Sequence, residues 1–375
     1  MKTFMESTNW ETLRRILPEG WEDACATCGA VQRRRKVVSP EVLLHLILMH
    51  AASGASLRTT IARARHAGLC DMSDVGFFYR MRAADRWLAW LVEHVRASVC
   101  PAAEATRFTQ RFRVRLVDST TVSEPGSTGS DWRIHYSVLL ANLRCDHIQV
   151  TDIHHAESLT RYAVEAGDVL VADRGYCRRR DISHVIDHDG HVCVRYHYTN
   201  LPLYSRSGAR WCPAAFIQTL TPGQVGDWDV WVRHVRTGEL MKARFCALRI
   251  DGAALERARR RARRTAQRHG YRPRAHTVLY TEYILVVTTI SRHWLSGTEV
   301  LALYRDRWQI ELVFKRLKSL AGVGHLPKTD ERSCRAWLHA KLLVALLAER
   351  LHREAEFFSP WGYPLVSRPH SKPMA

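Results

Sequence analysis

The sequence predicts an α/β protein: a mixed-sheet core preceded by an N-terminal helical domain and interrupted by a β-rich insertion. Three observations carry that expectation. From Ser39 to Val99 apolar residues recur at helical period, whereas beyond Pro101 they alternate, so that Arg111 to Asp118, Arg133 to Leu140 and His147 to His154 read as successive strands. After this meander, helix-like and strand-like stretches take turns. With 375 residues and 46% hydrophobic content, the chain can bury a sizeable core divided into two or three substructures.

Each element follows from local signals. Ser39-Pro40-Glu41 opens a helix, with proline in its first turn and an almost wholly apolar run from Val42 to Met49. Ser56 to His66, a break at Gly68, and Ser73 to Ala84 make two more short helices. Gly126 and Gly129 separate the first two strands. Ser158 to Ala166 is predicted as a helix closed by Gly167, Val169 to Asp173 as a short buried strand, Arg178 to His188 as a helix and His191 to Tyr198 as a strand. Turn signals at Pro202, Ser207-Gly208, Pro222-Gly223 and Thr237-Gly238 mark Leu201 to Ile250 as the β-rich insertion. Glu256 to His269 reads as a helix, Glu282 to Ile290 as a buried strand, and Gly297 leads into a helix that runs through Lys318. Ala336 to Leu351 is a long apolar helix with Leu338, Leu342, Leu343, Leu346 and Leu347 on a broad face, suited to packing within the subunit or against a second copy. The expected division is residues 1–105 (N-terminal helices), 106–200 (core, first part), 201–275 (insertion with a basic helix), 276–328 (core, second part) and 329–375 (C-terminal helical segment).

Charge narrows the partner. A net charge of +19 and 56 basic residues, only 8 of them lysines and therefore 48 arginines, favour a polyanion over an acidic metabolite. Arginine's planar fork of donors suits phosphate. A membrane surface is the competing polyanion, but no apolar run reaches transmembrane length and no N-terminal signal pattern occurs, so the expected location is the cytoplasm, with the nucleoid. The helix Glu256 to His269 carries seven arginines around its circumference; Arg259, Arg260, Arg263 and Arg264 are the expected phosphate contacts, with a solvated helix as the alternative. Arg58, Arg63, Arg65, Arg80 and Arg82 on the two short N-terminal helices fit either a DNA-contacting helix-turn-helix or solvated faces of a bundle. Cys25-Ala-Thr-Cys28 has the spacing of half a zinc site, but no second Cys or His pair follows at the usual distance, and the ten cysteines read as reduced thiols.

The chemistry sits in three carboxylates. Helical period places Tyr304, Arg307, Glu311 and Lys318 on a shared side, while Ile310, Leu312, Val313, Phe314 and Leu317 supply apolar contacts and Trp308 packs beneath. Asp118 ends the apolar run Phe112 to Val117, and Asp173 ends Asp168 to Ala172. Carboxylates delivered by two strand ends and one helix suit hard divalent cations, and a metal pair stabilises both attacking and leaving oxygens at phosphorus. Taken singly, each has a plainer reading: Asp118 and Asp173 satisfying backbone donors, Glu311 pairing with Lys315. The segment Asp131-Trp-Arg-Ile-His135 is expected to orient DNA or support the site, with Glu124 and Asp152 as further acidic neighbours.

Tyr304, Arg307, Glu311 and Lys318 meet in full the Tyr-x2-Arg-x3-Glu-x6-Lys signature of the insertion sequence 4 family of bacterial DDE transposases, which the chain resembles from about Leu57 to Leu347. Asp118-Ser-Thr-Thr resembles the family's first motif and Asp173-Arg-Gly-Tyr176 its second. The resemblance implies a ribonuclease H-like core with Asp118 and Asp173 on neighbouring strands, an order that the predicted elements follow. It implies a DNA transposase in which Asp118, Asp173 and Glu311 ligate two Mg²⁺ or Mn²⁺ ions and Tyr304, Arg307 and Lys318 hold phosphates. Water would nick the transposon end, and the freed 3′-hydroxyl would join target DNA, with or without a hairpin intermediate; the alternatives are a metal-dependent nuclease with the same core and a domesticated or inactive DNA-binding derivative of a transposase. The expected partners are terminal inverted repeats, target DNA and a second copy of the chain, as a homodimer on DNA. Trp228 and Trp231 fall where the family's insertion stacks on a flipped base, with core packing as the alternative.

Overall fold

The computed structural model describes residues 4–31, 39–98, 108 and 111–356, apart from positions 128, 130, 271, 273, 274, 320, 325 and 328. Residues 357–375 of the expected C-terminal segment lie outside the described residues. Ten strands form one mixed sheet: β1 (Arg113–Val122), β2 (Trp132–Leu139), β3 (Arg144–Asp152), β4 (Asp168–Ala172), β5 (His191–Arg195), β6 (Leu203–Tyr204), β7 (Arg210–Trp211), β8 (Val225–Arg233), β9 (Leu240–Arg249) and β10 (Tyr283–Thr288). Their spatial order is β3-β2-β1-β4-β5-β10-β9-β8-β6-β7. The first three are antiparallel, β4 and β5 run parallel to β1, and β10 returns antiparallel to β5. The strands after residue 201 thus extend the core sheet through β10 and β9.

Both faces of the sheet are covered. Described helices before it are α1 (Phe4–Arg15), α2 (Trp21–Thr27), α3 (Pro40–Ser53), α4 (Leu57–His66), α5 (Asp74–Ala83) and α6 (Asp85–Ser98); after β4 come α7 (Arg179–Ile186), α8 (Pro213–Ile217), α9 (Gly252–Arg268), α10 (Ala275–Thr281), α11 (Gly297–Asp306), α12 (Trp308–Ser319) and α13 (Glu331–Glu356). Leu116, Val171 and Cys193 face a core shared with α3–α6 and α11–α13; the alternate residues Val117, Leu170 and Val194 face the other core, where α7, α8 and α10 pack. Serine caps start the helices as the sequence indicates: Ser39, Ser56 and Ser73 each accept a hydrogen bond from the backbone N–H three residues on, at 3.2, 3.1 and 3.0 Å.

A buried charge network ties β1 to β4. Asp168 accepts hydrogen bonds from Arg113 Nε and Nη2 (2.6 and 2.9 Å), Arg115 Nη1 (3.0 Å) and the Glu165 backbone N–H (3.0 Å). Burial pushes the Asp168 carboxyl up, but these donors outweigh it and hold it below the usual carboxylate range.

The structure departs from the sequence expectation at several places. Ser158 to Ala166 forms only a short 3₁₀ turn, Leu159–Arg161, because Leu159, Tyr162 and Val164 all turn inward and the buried Asp181 captures the Leu159 N–H at 2.7 Å. The leucine face of α13 is consumed within the subunit: Leu338, Leu342, Leu343, Leu346 and Leu347 are all buried and packed with the N-terminal helices. His135 is fully buried inside β2, hydrogen-bonded to Thr151 (3.0 Å) and kept neutral by burial and nearby arginines, so its place is in the sheet core and not on the surface. Asp131 instead closes the β1–β2 hairpin, accepting from the Glu124 N–H at 2.8 Å and Ser127 Oγ at 3.1 Å. Cys25 is buried in α2, its thiol pushed up to about 12 by burial.

Candidate active site

Strand register builds the centre of the site. Pairing of β1 with β4 ends at Val117 beside Ala172, and that of β4 with β5 at Ala172 beside Val194. The next residues, Asp118, Asp173 and Arg195, therefore stand abreast on three adjacent strands, about 5 Å apart in the strand-to-strand direction. They share the face of Leu116, Val171 and Cys193, toward α11 and α12. Asp118 lies within β1, not at its end, since β1 continues to Val122 along β2.

Helices α11 and α12 lie over this row. A capping box fixes the start of α11: Ser296 Oγ accepts from the Glu299 N–H (3.3 Å) while Glu299 Oε2 accepts from the Ser296 N–H (2.7 Å). Gly297 sits so close to Asp227 of β8 that a Cβ would meet it at 3.0 Å, and Asp227 is itself held by Arg244 and Arg292. The predicted single helix is broken at Arg307, where hydrogen bonds of three-residue spacing, Arg307 N–H to Tyr304 O (3.2 Å) and Ile310 N–H to Arg307 O (3.1 Å), tighten the chain. Neither glycine nor proline marks this turn.

The tight turn aims the side chains. The Tyr304 hydroxyl donates to Asp173 Oδ1 at 3.1 Å, and Arg307 spans Asp118 Oδ2 (Nη1, 3.1 Å) and Glu311 Oε1 (Nη2, 2.7 Å). Arg307 also lies 5.9 Å from the centre of the Tyr304 ring, and its buried Nε has no hydrogen-bond partner among the described residues. Glu311 pairs with Arg307, not Lys315. Lys318 is exposed, its stem near Gly324. Trp308 does not pack beneath the helix: it is 50% exposed, and Leu312 39%, because Ile310, Phe314 and Leu317 take the core side of α12.

The two aspartates differ electrically. Burial pushes the Asp118 carboxyl up to about 6, helped by the nearby Glu157 and Asp173 and opposed by the Ser119 N–H and Arg307. Burial acts the same way on Asp173, but the Arg174 N–H, Arg307, Arg195 and the Tyr304 hydroxyl outweigh it and hold that carboxyl low. A fourth carboxylate, Glu157, stands beside them, accepting from Ser119 Oγ at 2.7 Å and filling the space over Gly175, where a Cβ would meet it at 2.4 Å. Nothing in the sequence around Glu157 singles it out.

Other expected contacts lie elsewhere. Trp228 and Trp231 are on β8, four strands from β4 and about 19 Å across the sheet. Trp228 packs with Trp211, Phe216 and Phe245 at ring separations of 6.3, 5.9 and 6.2 Å, and a Cβ on Gly226 would meet its ring at 2.0 Å, so only glycine fits beneath it. On α9, Arg260, Arg263 and Arg264 are exposed, whereas Arg259 is tied to Glu282 (2.7 Å) and Glu256 (3.2 Å). Arg65 and Arg82 of the N-terminal helices pair with Asp71 (3.0 Å) and Asp330 (3.2 Å).

Two aspartates stand side by side on the parallel strands β1 and β4 of an α/β mixed sheet, with a glutamate carried near them by α12. The family model of the transposase DDE domain matches residues 109–347, more than half of the chain, and the chain belongs to that family. It is 30% identical over 358 residues, covering 94% of this chain and 96% of the relative, to the putative transposase InsL for insertion sequence element IS186A of Escherichia coli (strain K12). It is also 30% identical over 359 residues, with the same coverage, to the transposase for insertion sequence element IS421 of Escherichia coli. A more distant relative, at 20% identity over 375 residues, covering 90% of this chain and 78% of the relative, is the transposase for insertion sequence element IS231B of Bacillus thuringiensis subsp. berliner. The protein is a DNA transposase of the DDE class, and the DDE domain is ribonuclease H-like. No helix among the described residues is long and apolar enough to cross a membrane.

DDE transposases generally use divalent metal ions. The donor chemistry here suits them: adjacent carboxylates offering hard oxygens, one of them held ionised. Among the described residues no three acidic, His or Cys side chains converge as a ready-made cage, and the Arg307 guanidinium pairs with both Asp118 and Glu311.

Proposed function

We propose that the chain is a transposase of insertion sequence 4 type in which Asp118, Asp173 and Glu311 are the catalytic carboxylates, cutting the ends of its element and joining them to target DNA. The observation that carries this reading is the side-by-side register of Asp118 and Asp173 with Tyr304 and Arg307 of the signature bonded directly to them. The three carboxylates would hold two Mg²⁺ or Mn²⁺ ions, which when bound supply charge stabilisation at the attacking and leaving oxygens. The chain's own groups prepare the site. Tyr304 fixes the Asp173 carboxylate in place through its hydroxyl, and Arg307 screens the repulsion between Asp118 and Glu311 until substrate and cation enter. Once released, the Arg307 guanidinium is within reach of a scissile phosphate, and exposed Lys318 at the end of α12 adds a second cation.

Arg260, Arg263 and Arg264 on α9, with Arg259 more constrained by its glutamates, extend the phosphate-binding surface. The natural partners are terminal inverted repeats and target DNA in the nucleoid, paired by two copies of the chain acting one on each end. That pairing uses a surface other than the α13 leucine face. The test mixes protein, a precut end duplex and a plasmid target with Mg²⁺. Covalently joined end and target are expected, on a complex whose mass corresponds to two chains and two ends. Nicking without joining, or joining by a complex of one chain and one end, contradicts the proposal.

A further inference from the structure

Beside the carboxylates lies a groove of about 1,090 Å³ between α9, α10 and the C-terminal ends of β4 and β5. Asp173 lines it, together with Arg174 and Arg195 from beside the strand ends and Arg257, Arg261 and Arg263 from α9. None of these five guanidinium groups forms an ion pair among the described residues, and the groove's one other carboxylate, Glu282, is already neutralised by Arg259 at 2.7 Å. The charge inside the groove therefore awaits an anion.

Aromatic rings stand among these cations. Tyr198 and Tyr280, both half-buried, line the wall with ring centres 5.5 Å apart. A tyrosine face stacks on a base only if that base's own face is uncovered, which duplex DNA, with every base stacked and paired, does not offer. The volume is near the upper range of small-ligand sites, enough for a few nucleotides and too small for a double helix. Arginines combined with aromatic rings are how proteins hold single strands without reading sequence.

We propose that this groove holds a short single-stranded stretch of DNA beside the scissile phosphate, its backbone on Arg174, Arg195, Arg257 and Arg261 and its bases against Tyr198 and Tyr280. The inference rests on the catalytic reading above only in placing the scissile phosphate near Asp173. Separation of the strands at the cut supplies the unpaired nucleotides, and the groove keeps them from re-pairing across the active site.

The test is fluorescence anisotropy of the full chain, in EDTA so that no cleavage occurs, with a labelled single-stranded oligonucleotide and with a duplex of the same sequence. Tyr198→Ala and Tyr280→Ala should each weaken single-strand binding roughly tenfold while leaving duplex binding within about twofold, and the Tyr→Phe variants should retain it. Changing Arg195, Arg257 and Arg261 together to Gln should flatten the slope of log affinity against log salt by about 2 for the single strand. Unchanged single-strand binding in the alanine variants, or an equal loss for duplex, overturns the proposal, as does failure of the phenylalanine variants to retain binding when they unfold at the wild-type temperature. Metal-dependent nicking that survives Asp118→Ala would instead sink the catalytic assignment and leave this groove standing.

Discussion

Arg307 is the group whose removal should report most clearly on the site. Its guanidinium joins Asp118 at 3.1 Å to Glu311 at 2.7 Å, but the two contacts are unequal. Glu311 is 60% exposed, so that pair contributes at most about 0.5 kcal/mol. The side chains of Arg307 and Asp118 are 13% and 19% exposed, and a charged hydrogen bond so shielded is worth about 1.5–3 kcal/mol. Arg307→Gln should therefore destabilise the metal-free protein by about 2–3 kcal/mol. The loss depends on pH. Burial already lifts the Asp118 carboxyl to about 6 even with Arg307 opposing it, so below that pH it is protonated with or without Arg307 and the two proteins converge; above it the wild-type carboxylate ionises, and the difference grows until pH also passes the higher value of the variant, which lacks the opposing guanidinium. Urea unfolding at pH 5 and pH 8 reads this out. Added Mg²⁺ should then raise the unfolding temperature of the variant more than that of the wild type, because a cation replaces the missing positive charge. Equal stability of the two proteins at pH 8 in EDTA, or an equal gain from Mg²⁺, would refute the idea that Arg307 holds the place of a cation between the carboxylates.

Asp168→Asn breaks a buried network and should cost about 3–5 kcal/mol at neutral pH, as measured by urea unfolding. Because the folded-state pKa of Asp168 is depressed, its stabilising contribution is complete above the ordinary carboxylate value near 4 and lost as pH falls through the lower folded value, so the gap to wild type should narrow below about pH 4. Leu343→Ala on α13, at a fully buried position, should lower stability by about 2–5 kcal/mol without changing the mass of the DNA complex in light scattering. Changing Arg259, Arg260, Arg263 and Arg264 together to Gln should weaken binding to any DNA sequence and flatten its salt dependence, with the exposed three accounting for most of the change; an unaltered salt slope would make α9 a solvated element.

Local chemistry was legible in the sequence and distant geometry much less so. Ser39, Ser56 and Ser73 announce the helices they cap, since a cap and its acceptor lie three residues apart. The strands β1 to β3 read directly from their apolar and β-branched runs, although β1 buries consecutive residues, Leu116 in one core and Val117 in the other, because both faces of the sheet are covered. The spacing of Tyr304, Arg307 and Glu311 marks them as one group, but not that a turn at Arg307 would send Tyr304 to Asp173 and Arg307 to Asp118, contacts spanning 131 and 189 residues. A helix wheel drawn through Trp308 and Leu312 assigns them a packing role that the break at Arg307 removes by rotating the second half outward. Ser158 to Ala166 has helical composition, yet the pull of Asp181 from another element decides its shape. The tyrosine and arginine groove is assembled from residues 174–198, 257–265 and 277–285, whose meeting no local pattern signals.

The most direct test compares DNA cleavage and DNA binding for Asp118→Ala, Asp173→Ala and Glu311→Ala. On duplexes carrying the terminal repeat, each variant should lose Mg²⁺-dependent nicking in a gel assay while binding the duplex nearly as tightly as wild type, because the carboxylates serve the chemical step and the arginines supply the attraction to phosphate. Nicking that persists in any one variant would remove that residue from the catalytic centre, and persistence in all three would contradict the account.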